Sequence, residues 1–275
     1  RTVREVKPAH CGYYMQGSLH LHPYWELHAA VHTDSFAETA AHVRELLTDA
    51  VRRQLVSDVP IGTFLSGGLD SSLLSSLSSQ VLRERGETLH TFSVDYWDND
   101  RYFRKSHFQP TSDPAYIRAM ERYLGCQHHW TVLDTPALAE ALYAAVDARD
   151  LPGMVDVDSS LLLFCGEIRK EVTVALSGEC ADELFGGYPW YRDADVRRVN
   201  GFPWAQSTAY RAKFLRPELA EKIDAQAYVQ DAYERTIRAA EKLPEDSPLE
   251  SRMREMMKLN LNWFMQTLLD RKDRM

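Results

Sequence analysis

A run of serine, glycine, leucine and aspartate at residues 66–72 is the feature that most constrains the fold of this 275-residue chain. An apolar run at residues 59–65 precedes it and is typical of a buried parallel strand, and apolar residues at 73–82 predict a helix after it. Where a strand turns through glycines into a helix, several backbone N–H groups are exposed at the N-terminus of that helix. This is the positive end of the helix dipole, and anions bind there. The run therefore predicts a phosphate site at the carboxyl end of a strand.

The residue types within this run narrow the ligand further. Gly67 and Gly68 allow the backbone to approach phosphate groups closely. The side-chain hydroxyl donors are Ser66, Ser71 and Ser72. Asp70 would repel phosphates unless a cation lay between them, so the run predicts a polyphosphate together with Mg²⁺.

Three other well-known loops do not fit these residues. The Walker loop requires a Gly-Lys pair, which the chain lacks. The dinucleotide fingerprint requires the glycine spacing G-x-G-x-x-G, which these residues lack. The acidic residue that accompanies this fingerprint does have a candidate, Asp95 after the next strand. The nucleophile elbow requires a glycine where Phe64 stands. A simple Ser/Gly turn with a helix cap remains the alternative interpretation.

Strand and helix patterns alternate over the first two thirds of the chain. Predicted strands cover residues 59–65, 89–94, 129–132 and 172–176. Helices are predicted from a capping box of Ser35 and Glu38, from Pro114, and near residues 159–170, and Thr135 is predicted to cap one helix that runs to about Asp147. Such alternation predicts an α/β fold with a parallel sheet sandwiched by helices. Beyond Tyr191 the strand signals stop, which predicts a helical C-terminal region.

Composition excludes several classes of partner. A net charge of −8 and a pI of about 5.7 argue against a nucleic-acid scaffold. No apolar run approaches a membrane span, and no secretory signal is recognisable at the first residues. Four cysteines without C-x-x-C spacing favour reduced thiols in a cytoplasmic protein. The basic residues at 52–53 and 271–274 are interpreted as solvated helix ends.

A second loop, residues 177–188, follows the last predicted strand. Loops at the carboxyl ends of parallel strands share one crevice, so both loops are expected to face the same ligand. Glu179, Asp182 and Glu183 lie within five residues and would repel one another without a metal ion or positive substrate groups among them. Asp70 and Asp182 are therefore predicted Mg²⁺ ligands. The alternative for Asp182 is an acid that decorates a helix N-terminus.

Both loops resemble one family. Residues 66–72 resemble the pyrophosphate loop of the ATP-pyrophosphatases, and residues 177–188 resemble the second loop of the glutamine-using asparagine synthetases of B type. The likeness implies an adenine nucleotide alpha hydrolase-like sheet followed by a helical region. It also implies that residues 33–275 are a synthetase domain truncated at its C-terminus, and that residues 1–32 are a linker and remnant of a glutaminase domain.

The resemblance further implies a reaction and roles for residues. Aspartate and ATP would form β-aspartyl-AMP with Mg²⁺ as cofactor, and ammonia from glutamine would then yield asparagine, AMP and pyrophosphate. Glu179 would be catalytic, by helping to form the intermediate and shuttling a proton. The implied ATP-binding residues are Leu65, Ser66, Gly67, Gly68, Asp70, Ser71, Ser72, Val94, Ser177 and Gly178. A homodimer is compatible with this interpretation.

Several departures from the family pattern leave alternatives open. Cys180 stands where glycine is usual, and residues 150–156 replace an Asp-Glu-Pro stretch on the amino-acid side. A family lysine that acts on the intermediate lies beyond residue 275, and the amino-terminal cysteine of the glutaminase is absent. A sibling such as a β-lactam synthetase or peptide cyclase, or a non-catalytic adenine-nucleotide module, therefore remains open. Intact Glu179 and Asp182 argue against the module.

Overall fold

A four-stranded parallel sheet, as the sequence predicted, is the centre of the fold. The computed structural model describes residues 5–105, 111–150 and 153–275. The strands are β1 (His10–Met15), β2 (Ser18–Pro23), β3 (Ile61–Phe64), β4 (His90–Tyr96), β5 (Gln127–Leu133) and β6 (Val174–Leu176). The first two strands form an antiparallel hairpin, and the other four form the sheet in the order β5-β4-β3-β6.

Helices connect the strands and make up the C-terminal region. The first eight are α1 (Phe36–Gln54), α2 (Leu69–Glu84), α3 (Asn99–Tyr102), α4 (Pro114–Leu124), α5 (Thr135–Glu140), α6 (Leu142–Arg149), α7 (Val155–Ile168) and α8 (Ala181–Phe185). The last six are α9 (Ala194–Arg198), α10 (Thr208–Ala212), α11 (Pro217–Ile223), α12 (Ala225–Arg238), α13 (Pro248–Leu259) and α14 (Met265–Arg274). A π-helical segment, Asn260–Phe264, joins α13 to α14. No strand follows β6 among the described residues, which confirms the predicted helical C-terminal region.

Helix starts follow the capping residues, with one correction. Ser35 and Glu38 form the expected capping box at the start of α1. The prediction that Thr135 caps a single helix is wrong, because the Asp134 carboxylate accepts a hydrogen bond from the Ala137 N–H at 2.8 Å. The predicted helix is also interrupted at Ala141, where α5 ends and α6 begins.

Apolar clusters cover both faces of the sheet. On one face Phe92 packs against Phe164 and Ile168 of α7. On the other face Val51 of α1 and Val81 of α2 pack together with partly buried strand residues. The helices therefore hold the sheet between two apolar layers, and the carboxyl ends of the strands stay open for loops.

The C-terminal helices form two further clusters. Tyr233 and Leu259 are buried in one cluster, and Met256 in the other. The Ala29 N–H donates to the Glu241 carboxylate at 2.9 Å, which ties the segment before α1 to this region. Among the described residues no helix combines the length and the apolar character needed to cross a membrane. Residues 151–152, which belong to the stretch 150–156 that differs from the family pattern, lie outside the described residues.

A buried hydrogen bond between β3 and α2 gives a test of this fold. The hydroxyls of Thr63 and Ser75 lie 2.8 Å apart, and both residues are fully buried. Thr63→Val should lower the free energy of unfolding by about 1–3 kcal/mol, because the buried Ser75 hydroxyl loses its partner. Urea unfolding of the complete protein measures the loss. Thr48→Val on α1 is the matched control, since its hydroxyl bonds only within its own helix, and an equal loss in both variants would contradict the argument.

Candidate functional site

The first loop has the backbone arrangement that an anion site needs. Gly67 lies at φ 76°, and a Cβ atom there would stand 2.8 Å from the Tyr116 Cβ. A side chain at this position would therefore be strained and would clash. Gly68 is the N-cap of α2 and, as a glycine, has no side chain that could cap the helix. The N–H groups of the first turn of α2, which have no partner within any α-helix, therefore also lack a side-chain cap from this position.

Serine hydroxyls hold this loop in place. The Ser66 N–H donates to the Ser71 Oγ at 3.1 Å, and the two serine Oγ atoms lie 2.9 Å apart. The Gly68 N–H also donates to the Ser66 Oγ, at 3.3 Å. Ser71 is buried whereas Ser66 is exposed. The loop is thus organised by its own hydroxyls, and Ser72 continues it into the helix through a bond from its N–H to the Gly68 carbonyl.

The second loop contacts the first, as expected for two loops at one edge of a parallel sheet. A Cβ atom on Gly178 would come within 3.0 Å of the Asp70 carbonyl carbon and the Ser71 nitrogen. Only glycine lets the two backbones approach this closely. Ser177 directly follows β6, so the end of this strand places Ser177 and Gly178 beside the first loop.

Two cations from the end of the chain hold Glu179. Its Oε1 lies 2.8 Å from the Arg271 Nη2, and its Oε2 lies 2.8 Å from the Lys272 Nζ. Lys272 also donates to the Ser177 Oγ at 2.6 Å. All three charged side chains are mostly withdrawn from water, with exposed fractions of 20%, 10% and 21%. Their mutual attraction is therefore screened less than that of surface pairs.

This finding corrects one interpretation of the sequence. Residues 271–274 were expected to form a solvated helix end, and that is wrong for Arg271 and Lys272. The Lys272 ammonium also lies 4.5 Å from the ring centre of Phe64, the last residue of β3. No local sequence pattern predicts that Lys272 reaches the second loop, because Lys272 and its partner Ser177 lie 95 positions apart in the chain.

Asp182 occupies a different environment from Glu179. Burial raises the pKa of its carboxyl, and the nearby Asp70 raises it further. A Cβ atom on Gly187 would stand 1.8 Å from the Asp182 Oδ1, so glycine at that position leaves room for the carboxylate. Two acids from the two loops thus lie near each other, which is the arrangement that a divalent cation relieves.

The surroundings of Glu183 are those of a buried residue that stabilises the fold. The residue is fully buried, and its Oε1 accepts a hydrogen bond from the Tyr188 hydroxyl at 2.6 Å. Burial raises the pKa of Glu183, and the Tyr188 bond opposes that rise. The three carboxylates that appear crowded in the sequence are therefore separated: Glu179 is ion-paired, Asp182 faces Asp70, and Glu183 is buried with a tyrosine.

A pocket of about 360 Å³ opens beside the two loops. The residues that line it include Leu65, Ser66, Val94, Glu179 and Lys272. The Leu65 N–H donates to the Phe92 carbonyl at 2.8 Å, and the Leu65 carbonyl accepts a hydrogen bond from the Ser93 hydroxyl. Only the second lone pair of that carbonyl is therefore left for a ligand. The remaining predicted nucleotide residues belong to the loops rather than to the pocket lining, namely Gly67, Gly68, Asp70, Ser71, Ser72, Ser177 and Gly178.

Cys180 adopts a backbone conformation that favours glycine. Its φ is 77°, in the left-handed region, at the N-cap of α8. This explains why a glycine is the expected residue there, since a Cβ atom in this region costs conformational energy. Burial and the neighbouring Glu183 and Glu179 raise the pKa of the Cys180 thiol to about 11. The thiol is consequently protonated and unreactive near neutral pH.

Comparisons with known proteins give one consistent result. The family model described as asparagine synthase matches residues 42–275. Asparagine synthetase (glutamine-hydrolyzing) 3 of Bacillus subtilis strain 168 is 47% identical over 276 residues, which cover 100% of this chain and 45% of that protein. Asparagine synthetase (glutamine-hydrolyzing) 1 of the same strain is 36% identical over 55% of this chain and 22% of its own length. The corresponding protein of Zea mays is 32% identical over 58% of this chain and 27% of its own length. The chain therefore spans less than half of the length of these relatives.

The buried Glu183–Tyr188 bond gives a test of the second loop. Tyr188→Phe should lower the free energy of unfolding by about 1.5–3 kcal/mol at neutral pH, because a buried carboxylate loses its donor. The variant should also raise the pKa of Glu183 further, since the lost bond lowers it in the wild type. A carboxyl whose pKa is raised by folding binds more protons when folded, so stability falls as pH rises through that pKa. The difference between variant and wild type should therefore shrink on acidification.

Urea unfolding at acid and at neutral pH measures this difference. Tyr191→Phe is the matched control, because within the described part of the chain the buried Tyr191 hydroxyl has no hydrogen-bond partner. Its loss should be smaller and should not depend on pH. A Tyr188→Phe loss that stays constant with pH would show that Glu183 is not the group involved.

Proposed function

We propose that this chain, which belongs to the asparagine synthase family, carries out the ATP-dependent conversion of aspartate to asparagine. The reaction would proceed through β-aspartyl-AMP and would release pyrophosphate and AMP. Because the chain spans 45% of the Bacillus subtilis relative, activity of the whole protein, including the use of glutamine, is part of the proposal. The proposal assigns the synthetase domain to residues 33–275 and a glutaminase remnant with its linker to residues 1–32.

The contact between the two loops carries this proposal. Gly178 packs directly against the backbone of Asp70 and Ser71. A phosphate loop and an acidic loop thus meet at the carboxyl edge of a parallel sheet, where ligands of open α/β sheets bind. Glu179 and Lys272 then face the adjoining pocket from the same side.

ATP is proposed to span the pocket and the first loop. The adenine would lie in the pocket beside Leu65 and Val94, and the phosphates would lie over the backbone N–H groups at the start of α2. The proposed nucleotide residues are Leu65, Ser66, Gly67, Gly68, Asp70, Ser71, Ser72, Val94, Ser177 and Gly178.

Asp70 and Asp182 are proposed to hold Mg²⁺. The fit rests on the donor set, since carboxylate oxygens are hard ligands and Asp70 raises the pKa of Asp182 through its proximity. A bound Mg²⁺ would neutralise charge on the departing pyrophosphate. The chain itself would supply the serine hydroxyls and the N–H groups that orient the phosphates.

Glu179 is proposed as the catalytic acid–base group. The aspartate β-carboxylate would attack the α-phosphorus of ATP and expel pyrophosphate, and ammonia would then attack the acyl carbon and expel AMP. Glu179 would accept a proton from the attacking ammonia. Arg271 and Lys272, which the sequence did not identify, would hold Glu179 in place and would offset negative charge near the phosphates.

Location and assembly complete the proposal. The four cysteines are free in the structure, and this supports a reducing compartment such as the cytoplasm. The proposed partners are aspartate, ATP, and ammonia or glutamine, without nucleic acid or membrane. A homodimer stays a prediction.

Asp70→Asn should reduce the magnesium-dependent part of ATP binding. ATP with Mg²⁺ should raise the Tm of the complete protein, since a ligand that binds only the folded state stabilises it. Asp70→Asn should keep a shift with ATP alone but should lose most of the additional shift that Mg²⁺ produces. Asp58→Asn, an exposed acid ahead of β3, is the control. An undiminished magnesium effect in Asp70→Asn would remove Asp70 from the metal site.

Glu179→Gln tests the chemistry itself. Aspartate-dependent exchange of labelled pyrophosphate into ATP reports formation of the acyl-adenylate. The variant should lower the overall rate of asparagine synthesis by about 10²–10⁴, which is typical for loss of a proton-transfer group, and should leave ATP binding nearly intact. Glu167→Gln, an exposed pair partner of Lys170, should retain the wild-type rate.

Exchange in the wild type also tests the acceptor. Pyrophosphate exchange that requires aspartate supports the proposed function. Exchange that aspartate does not stimulate, but that another carboxylic acid does, would favour a sibling adenylating enzyme. A wild-type rate of synthesis in Glu179→Gln would show that Glu179 has only a structural role.

A further inference from the structure

Two histidines and a glutamate meet at the opposite edge of the sheet from the nucleotide site. His90 is the first residue of β4, His129 lies near the start of β5, and Glu171 lies in the turn ahead of β6. The His90 Nδ1 and the His129 Nε2 are 3.1 Å apart. One ligand atom from each of the three residues lies within 4.8 Å of the other two.

The fold itself brings these side chains together. In the parallel register Phe92 pairs with His129, and His90 precedes Phe92 by two positions, so all three lie on one face of the sheet. The His129 ring lies against the Phe92 ring, with centroids 4.8 Å apart, and this contact limits its orientation. The Glu171 N–H donates to the Ile168 carbonyl at the end of α7, which fixes the backbone of the third residue.

We propose that His90, His129 and Glu171 form a binding site for a divalent transition-metal ion of the Zn²⁺ class. Two nitrogen ligands that each lie about 2.0–2.1 Å from one ion are about 2.9–3.4 Å apart when the angle between the two bonds is octahedral to tetrahedral. The distance between the His90 Nδ1 and the His129 Nε2 lies in this range. Two imidazoles and one carboxylate are a ligand set that Zn²⁺ accepts, with further positions left for water.

The surroundings favour an ion over a simple hydrogen bond between the two rings. A histidine pair needs no carboxylate, whereas Glu171 supplies the negative charge that a dication requires. Glu171 is exposed and both histidines are only partly buried, which leaves a path for the ion.

Such an ion would connect three parts of the fold. It would join β4, β5 and the segment that leads from α7 into β6. Since these residues lie at the amino ends of the strands, the ion would stabilise the sheet and would take no part in chemistry at the carboxyl edge. This inference does not depend on the proposed function.

Binding of Zn²⁺ to the complete protein tests the site, with Co²⁺ as a spectroscopic probe. The exposed Cys11 Sγ lies 3.1 Å from the His22 Nε2 and is a competing thiol–imidazole pair, so the measurements use a Cys11→Ser background. In that background, with excess Mg²⁺ to occupy the proposed Asp70–Asp182 site, one Zn²⁺ should bind and should raise the Tm by about 5 °C or more at one hundred times its Kd. Co²⁺ should show the spectrum of nitrogen and oxygen ligands without thiolate.

Single ligand variants and matched controls complete the test. Glu171→Gln, an exposed change that leaves the fold intact, and His90→Gln should each weaken Zn²⁺ binding at least about tenfold. Glu167→Gln, one turn earlier, and His42→Gln, an exposed histidine on α1, should leave the affinity unchanged. Equal affinity in all four variants, or no rise in Tm with Zn²⁺, would overturn the proposal.

Discussion

The candidate site depends above all on the ion pairs between Glu179 and two cations of α14. Arg271 and Lys272 each approach the Glu179 carboxylate to 2.8 Å in a largely desolvated place. A largely buried carboxylate without such partners would be costly, and two largely buried cations without the carboxylate would be equally so. The helical C-terminal region is therefore part of the site, and the α/β sheet alone does not complete it.

The docking of α14 rests on a further ion pair. The buried Arg149 of α6 reaches Asp270 at 3.2 Å, and Asp270 directly precedes the two cations. This pair and the buried Leu268 anchor the helix, and the helix in turn positions Arg271 and Lys272. Electrostatic contacts across more than one hundred residues thus determine where the Glu179 carboxylate points.

Environment, more than residue type, gives the acids of the second loop their separate roles. Glu179 is paired with cations, Asp182 lies near a second acid, and Glu183 is buried against Tyr188. Asp182, which lies near Asp70, is the acid of this loop that is proposed as a cation ligand. The division also explains why three acids so close in sequence do not destabilise the loop, since each has a different means of offsetting its charge.

The sequence by itself determined the α/β class, the two loops, and the helical character beyond residue 191. These follow from local patterns, because an apolar strand, a Ser-Gly-Gly turn and a helix cap each depend on neighbouring residues. The glycine at position 67, whose φ is positive, belongs to the same local level. Tertiary structure alone decided that Arg271 and Lys272 enter the site and that Glu183 is buried away from it. It also brought His90, His129 and Glu171 together. Contacts between residues far apart in the chain leave no periodic pattern, since they depend on how whole elements pack and which charges that packing removes from water.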